Sequence, residues 1–230
     1  MEYQVHLLAF GVLLSSVVLA WKSPGSYGVQ QTLMLISSLG FAAGFSVWCW
    51  PTVKKVWAHP VGKTAIATFH VFVLFLSTAF ARSVVASSLG LPPQDFDMTV
   101  AAISLASYIP AWSLVISLVL GVTAVTLEIA GFFAMLARHS FGTVAKLFAR
   151  MFGAIAICAI SGDICGFAMK NETLLHPAAR WIAYFCDFQP AARYPGIAEG
   201  ERIRLHENGV ISVAEIQGGE IRIQVRKYEQ

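Results

Sequence analysis

Five stretches of this chain, 3–21, 31–50, 64–86, 111–137 and 148–169, are apolar almost without interruption. A helix needs about 20 such residues to cross a ~30 Å hydrocarbon core, where no water is present to satisfy an open backbone. That requirement, met or nearly met five times, leaves few solutions other than a helical bundle in a bilayer. Composition agrees: 57% of the residues are hydrophobic and 13% are charged, against about 25% charged in soluble domains. The charges are also displaced, with more than half of the Asp, Glu, Lys and Arg residues lying beyond position 169.

The segments between the spans set an expected orientation. Trp21, Trp48, Trp50, Trp57, Tyr108 and Trp112 lie near span ends, where amphipathic rings gather at the membrane–water boundary. Loop two, PTVKKVWAHPVGK, and loop four, RHSFGTVAKLFAR, carry Lys54, Lys55, Lys63, Arg138, Lys146 and Arg150. Loops one and three carry only Lys22 and Arg82. Cationic loops stay in the cytoplasm, so loops two and four and the N-terminus are expected there, in an inner (plasma) membrane. No Lys or Arg precedes the first apolar run, so that run is expected to remain as a span. Five crossings would put the tail outside, whereas charged tails are more often cytoplasmic, and the sequence leaves its side open. Loop three, LGLPPQDFDMTVAAISLASYIP, is long enough for a short helix starting near Asp97 or Thr99 and ending before Pro110.

Three ionisable residues fall inside the expected spans: His70, Glu128 and Asp163. A carboxylate at mid-bilayer costs roughly 2.5–3.5 kcal/mol and should face protein or water. Glu128 lies on a stripe of small residues, Ser113, Ser117, Gly121, Ala124 and Gly131, spaced as one helix face. Ser37, Gly40 and Gly44, and Ala156, Ala159, Asp163 and Gly166, make two more such stripes. Small faces let helix backbones approach closely, so Ser113, Ser117, Gly121, Gly131, Gly40 and Gly44 are expected at helix contacts. His70 and Glu128 sit at compatible depths and are a possible pair. The polar groups fit either register-fixing contacts or an ion pathway.

The motifs of soluble catalysis are absent: no phosphate-binding glycine loop, no G-x-S-x-G, no H-E-x-x-H and no C-x-x-C. The six histidines are dispersed and the four cysteines unpaired in spacing. No catalytic residue, metal site or cofactor is expected, and scattered basic residues argue against a nucleic-acid surface. In general shape the chain resembles small four- or five-span bacterial proteins, among them colicin-type immunity proteins, exclusion proteins and membrane subunits of phage-defence systems. That likeness carries no residues with it.

The tail is different. In HENGVISVAEIQGGEIRIQVRKY, Asn208-Gly209 and Gly218-Gly219 are pairs that accept the positive φ of two-residue hairpins. Taking both as such turns sets Leu205 against Ser212, Ile203 against Ala214 and Ile216 against Ile221. One face then collects Ile203, Leu205, Val210, Ala214, Ile216, Ile221, Ile223 and Val225. The expected fold is therefore an all-α bundle of four or five spans (1–170), an amphipathic connector (171–198) and a three-stranded antiparallel meander (199–230). A sheet this small needs a second layer, supplied by the connector, by another copy or by a partner. Arg204, Arg222, Arg226, Ile221 and Ile223 are the residues expected to dock a partner protein. The function anticipated is a non-enzymatic, homo-oligomeric sensor or scaffold in a defence, exclusion or immunity system, or alternatively an ion channel with Glu128 on its path.

Overall fold

A computed structural model of the chain describes residues 2–22, 27–170, 172–190, 201–206 and 210–227. The helices are α1 (Glu2–Lys22), α2 (Tyr27–Ala58), α3 (Pro60–Leu89), α4 (Asp97–Ala106), α5 (Tyr108–Leu136), α6 (Phe141–Lys170) and α7 (Glu172–Ile182), the last continued by a π turn, Ala183–Asp187. Strands β1 (Gln189–Pro190), β2 (Arg202–Leu205), β3 (Val210–Gln217) and β4 (Glu220–Lys227) follow. Four helices, α2, α3, α5 and α6, are long and apolar enough to cross a membrane. Among the described residues α1 contributes a further apolar stretch, Gln4–Leu19. The protein is a helical membrane bundle with a small antiparallel sheet at its C-terminal end.

Loops two and four are shorter than expected because hydropathy marks the water boundary and not the helix end. α2 continues through Pro51 to Ala58, and α3 begins at Pro60 with only His59 between them. Proline is tolerated in a first turn, where its missing N–H would have no partner. The corner itself requires glycine, since a Cβ on Gly62 would sit 1.8 Å from the Val56 carbonyl oxygen. The loop-four sequence is mostly helix: α6 starts at Phe141, and its first turn is closed by a Ser140–Thr143 hydroxyl contact of 3.0 Å.

By their internal contacts the residues form two compact units, Met1–Phe69 with Ser113–Ile164, and His70–Trp112 with Cys165–Gln230. In the first, α1 lies on the Ser37–Gly40–Gly44 face of α2. The Ser37 hydroxyl donates to the Ala9 carbonyl at 2.8 Å, and a Cβ on Gly40 would come 2.9 Å from that of Ala9. Phe45, Ala124, Met151 and Ala154 make a buried cluster from α2, α5 and α6. α2 and α6 approach closely at Gly153, where a Cβ would be 2.5 Å from the Phe41 carbonyl oxygen.

The second unit has its own core. Val84, Val85 and Leu89 of α3, Val100 and Ile103 of α4, Ala179 of α7, Ala183 and Tyr184 of the π turn, and Ala214 and Ile221 of the sheet bury one another around Phe96. The second layer that the sheet needs is thus supplied by α7 and its neighbours. The sheet has four strands, not three, in the order β1-β2-β3-β4, because Gln189 and Pro190 pair with Ile203 and Arg202.

The second hairpin has the expected register: Ile216 opposes Ile221, Ala214 opposes Ile223, and the turn glycines Gly218 and Gly219 have φ of 60° and 85°. The first hairpin is one residue off. Ile203 opposes Val213 and Leu205 opposes Ile211, and the His206 N–H donates to the Val210 carbonyl at 2.9 Å. Asn208-Gly209, the pair expected to set that register, lies outside the described residues. The slip splits the apolar set between faces. Ala214 and Ile221 enter the helical core, while Ile203, Ile211 and Val213 form a separate buried cluster. It also turns Arg202 and Arg204 toward the end of α7. Arg202 donates to the Tyr184 carbonyl, and Arg204 donates to that of Asp187 at 3.3 Å. A cation at the carbonyl end of a helix satisfies both unpaired acceptors and the macrodipole. The expected register would have sacrificed those bonds.

Candidate functional site

Two sets of polar groups stand out, one in the spans and one where the sheet meets α4. In the spans, the small face of α5 lies against α6. The Ser117 hydroxyl donates to the Cys158 carbonyl at 3.0 Å, a Cβ on Gly121 would be 3.7 Å from the Cys158 sulfur, and one on Gly131 would be 3.4 Å from the Phe148 ring. Ser113 is buried on the same face. Gly44 lies under the His6 ring, which is 2.4 Å from where its Cβ would stand.

Glu128 sits between Ala124 and Gly131 on this face, both of them buried, yet its own side chain is exposed. Asp163 on α6 is exposed too. Neither makes a hydrogen bond or ion pair among the described residues. The two acids occupy different depths. Asp163 lies one turn beyond Cys158, itself level with Ser117, whereas Glu128 is three turns further along α5. His70 uses Nδ1 on the Tyr108 hydroxyl at 2.7 Å, and its ring stands edge-on to Trp112 at 4.9 Å.

The second set holds loop three to the tail. Asp187, at the end of the π turn, is buried and accepts three hydrogen bonds from the start of α4: from the Met98 N–H at 3.2 Å, the Thr99 N–H at 2.9 Å and the Thr99 hydroxyl at 2.5 Å. The first-turn N–H groups of a helix have no partner of their own, and a carboxylate there also meets the positive end of the dipole. Asp187 caps α4 from 88 residues away. Beside it, Asp95 Oδ2 is 2.5 Å from His206 Nδ1, and His206 Nε2 is 2.6 Å from the Ser212 hydroxyl. On α7, Arg180 donates to the Ser88 carbonyl at 2.9 Å, and His176 Nε2 is 3.1 Å from the Ser87 hydroxyl.

Asp95, His206 and Ser212 follow the carboxylate–imidazole–hydroxyl order of nucleophilic serine sites. Ser212, however, has 0% of its surface exposed and lies in the interior strand of the sheet. A substrate carbonyl has no approach to that hydroxyl while the strands are paired. What this arrangement does is satisfy two buried polar side chains and tie β3 to the 3-10 turn Pro93–Asp95 that precedes α4.

Of the residues expected to dock a partner, Ile221 is buried in the helical core and Ile223 packs against it, because α7 already covers that face. Arg204 is turned inward onto the Asp187 carbonyl. Arg222 and Arg226 of β4 remain exposed, Arg222 opposite Glu215 and Arg226 at 3.4 Å from Glu201. Sequence reading missed Asp187, its bonds to Thr99 and the Asp95–His206–Ser212 line, in which Asp95 and His206 alone are 111 residues apart with no local pattern joining them. Three or more His, Cys, Asp or Glu side chains placed to hold a metal are not found among the described residues. No family model, curated protein or solved structure matches this chain.

Proposed function

We propose that the protein is a non-enzymatic, homo-oligomeric scaffold of the bacterial inner membrane, with a cytoplasmic N-terminus and a tail that presents a docking surface. The carboxylates of Glu128 and Asp163, exposed on spans and without a partner among the described residues, carry the reading. Held against lipid as anions in a single chain, they would together cost roughly 5–7 kcal/mol, so protein contact or trapped water between copies is the favourable arrangement. Ala159, one turn before Asp163, is exposed as well, leaving a small-residue face on α6 for close helix approach. The docking surface is β4 with Arg222 and Arg226, the outer strand among the described residues, whose edge suits an added strand.

The shared core of loop three and the tail bears on sidedness. The six cations of loops two and four favour the cytoplasm for those loops, and an odd number of crossings separates them from loop three. The tail, bonded to loop three through Asp95–His206, then lies on the outer face. Cys186 is exposed near the tail, so a membrane-impermeant maleimide is expected to label it in intact spheroplasts. Particle mass in nanodiscs tests assembly: a dimer or larger is expected, and a monomer at all lipid ratios would defeat the scaffold reading. An ion pathway between copies is the second reading, favoured by the placement of two carboxylates at different depths. It requires that Glu128→Gln change ion flux in proteoliposomes.

A further inference from the structure

We infer that the groove among α1, α2, α5 and α6 is a binding site for a phospholipid with an anionic headgroup. It encloses about 710 Å³, within the range of ligand pockets (roughly 300–1,000 Å³). Its walls come from His6 and Phe10 of α1, Phe41 of α2, Met135 of α5, and a continuous face of α6 ending at Phe152. Phe41 and Phe152 pack 5.7 Å apart, and Phe10 and Phe152 are 49% and 42% exposed, so the groove opens onto the outer surface of the apolar helices. A ligand entering there comes from the bilayer.

The charge identifies the kind of lipid. Among the thirteen described lining residues none is acidic, and the fully charged ones are Lys146 and Arg150. They are four apart on α6 and so share one side of the helix, separated by about 6 Å of rise. Lys146 is the exposed member. The Arg150 guanidinium lies 4.5 Å over the Trp48 ring, which fixes its direction and keeps its positive charge at the groove wall. Both belong to the first three turns of α6, beside the Arg138 loop, the depth at which long cationic side chains reach the headgroups from within a span. Basic pockets between helices at this level suit anionic headgroups, and the five-phenylalanine wall suits acyl chain. The proposal rests only on the chain crossing a bilayer and stands apart from the question of assembly.

The test uses the full chain purified in mild detergent and exposed to equal amounts of phosphatidylglycerol and phosphatidylcholine with identical acyl chains, with retained lipid read by native mass spectrometry. Phosphatidylglycerol should be retained about fivefold or more over phosphatidylcholine, the preference expected of one added cation–headgroup contact. Lys146→Glu should bring the ratio to about one, and Lys146→Arg should restore it. Ala149→Phe, which fills the groove, should lower retention of both lipids, and Ala145→Leu on the same wall gives the same reading with a smaller change of volume. Equal retention in the unaltered protein, a ratio that survives Lys146→Glu, or full retention in both groove-filling variants would each overturn the assignment.

Discussion

Removing the Asp187 carboxylate should release α4 while leaving the spans in place. Asp187→Ala takes away one acceptor from the Met98 N–H and two from Thr99, whose side chain is 0% exposed and cannot turn to water. Each buried donor left without a partner costs about 1–3 kcal/mol, and losing a helix cap typically costs about 1 kcal/mol. Because these contributions overlap, the expected destabilisation is about 3 kcal/mol and not their full sum. Asp187→Asn keeps a carbonyl acceptor and loses the charge at the helix start, for about 1 kcal/mol. Hydrogen exchange resolves the effect locally. Protection of the 97–106 peptide should fall about 100-fold in Asp187→Ala and about fivefold in Asp187→Asn. Amides in the middle of α5 and α6 should be unaffected. In Thr99→Val, which has already lost the hydroxyl contact, Asp187→Ala should cost measurably less. Unchanged protection of 97–106 in Asp187→Ala, or additive effects of the two substitutions, would refute the argument that this carboxylate holds α4.

Gly153→Ala places a Cβ against the Phe41 carbonyl and should destabilise the bundle by about 1–3 kcal/mol. Gly166→Ala in the same helix meets nothing within 4 Å and should stabilise by up to about 1 kcal/mol; thermal midpoints in detergent separate the two. Arg202→Met removes the donor to the Tyr184 carbonyl and a cation stacked 4.9 Å over its ring. It should cost about 2 kcal/mol and raise exchange of the 183–187 segment. Ser212→Ala leaves His206 Nε2 without its buried partner and should cost about 1–2 kcal/mol, read as faster proteolytic cleavage of the tail.

The spans were legible because length and hydropathy are sufficient to specify them, and α4 was legible from Asp97 and Pro110. The ends of α2, α3 and α6 were not, because a charged residue at the interface looks the same in a helix as in a loop. The second hairpin could be read from Gly218-Gly219, where local turn chemistry and strand pairing agree. The first could not, because its register answers to Arg202 and Arg204 reaching carbonyls 18 and 17 residues earlier and to His206 reaching Asp95. The small faces of α2 and α5 were visible as spacing, but spacing does not tell a contact within the chain from one between chains. The face expected on α6 is divided: Ala156 is buried and Ala159 and Asp163 are exposed, while Gly153, Ala154 and Ser161 are buried as well. That difference is what made Asp163 informative.

The cap of α4 also imposes an order on biogenesis. Thr99 leaves the ribosome 88 residues before the carboxylate that holds it, and at roughly 5–20 residues per second that interval is on the order of ten seconds. Throughout it, α5 and α6 are being inserted while Phe96 and Ile103, both buried in the finished protein, have no tail to cover them. A chain stopped after α6 would hold its spans and display that uncovered apolar surface at the membrane face. The last quarter of the sequence, from Glu172 onward, is therefore what shields that surface.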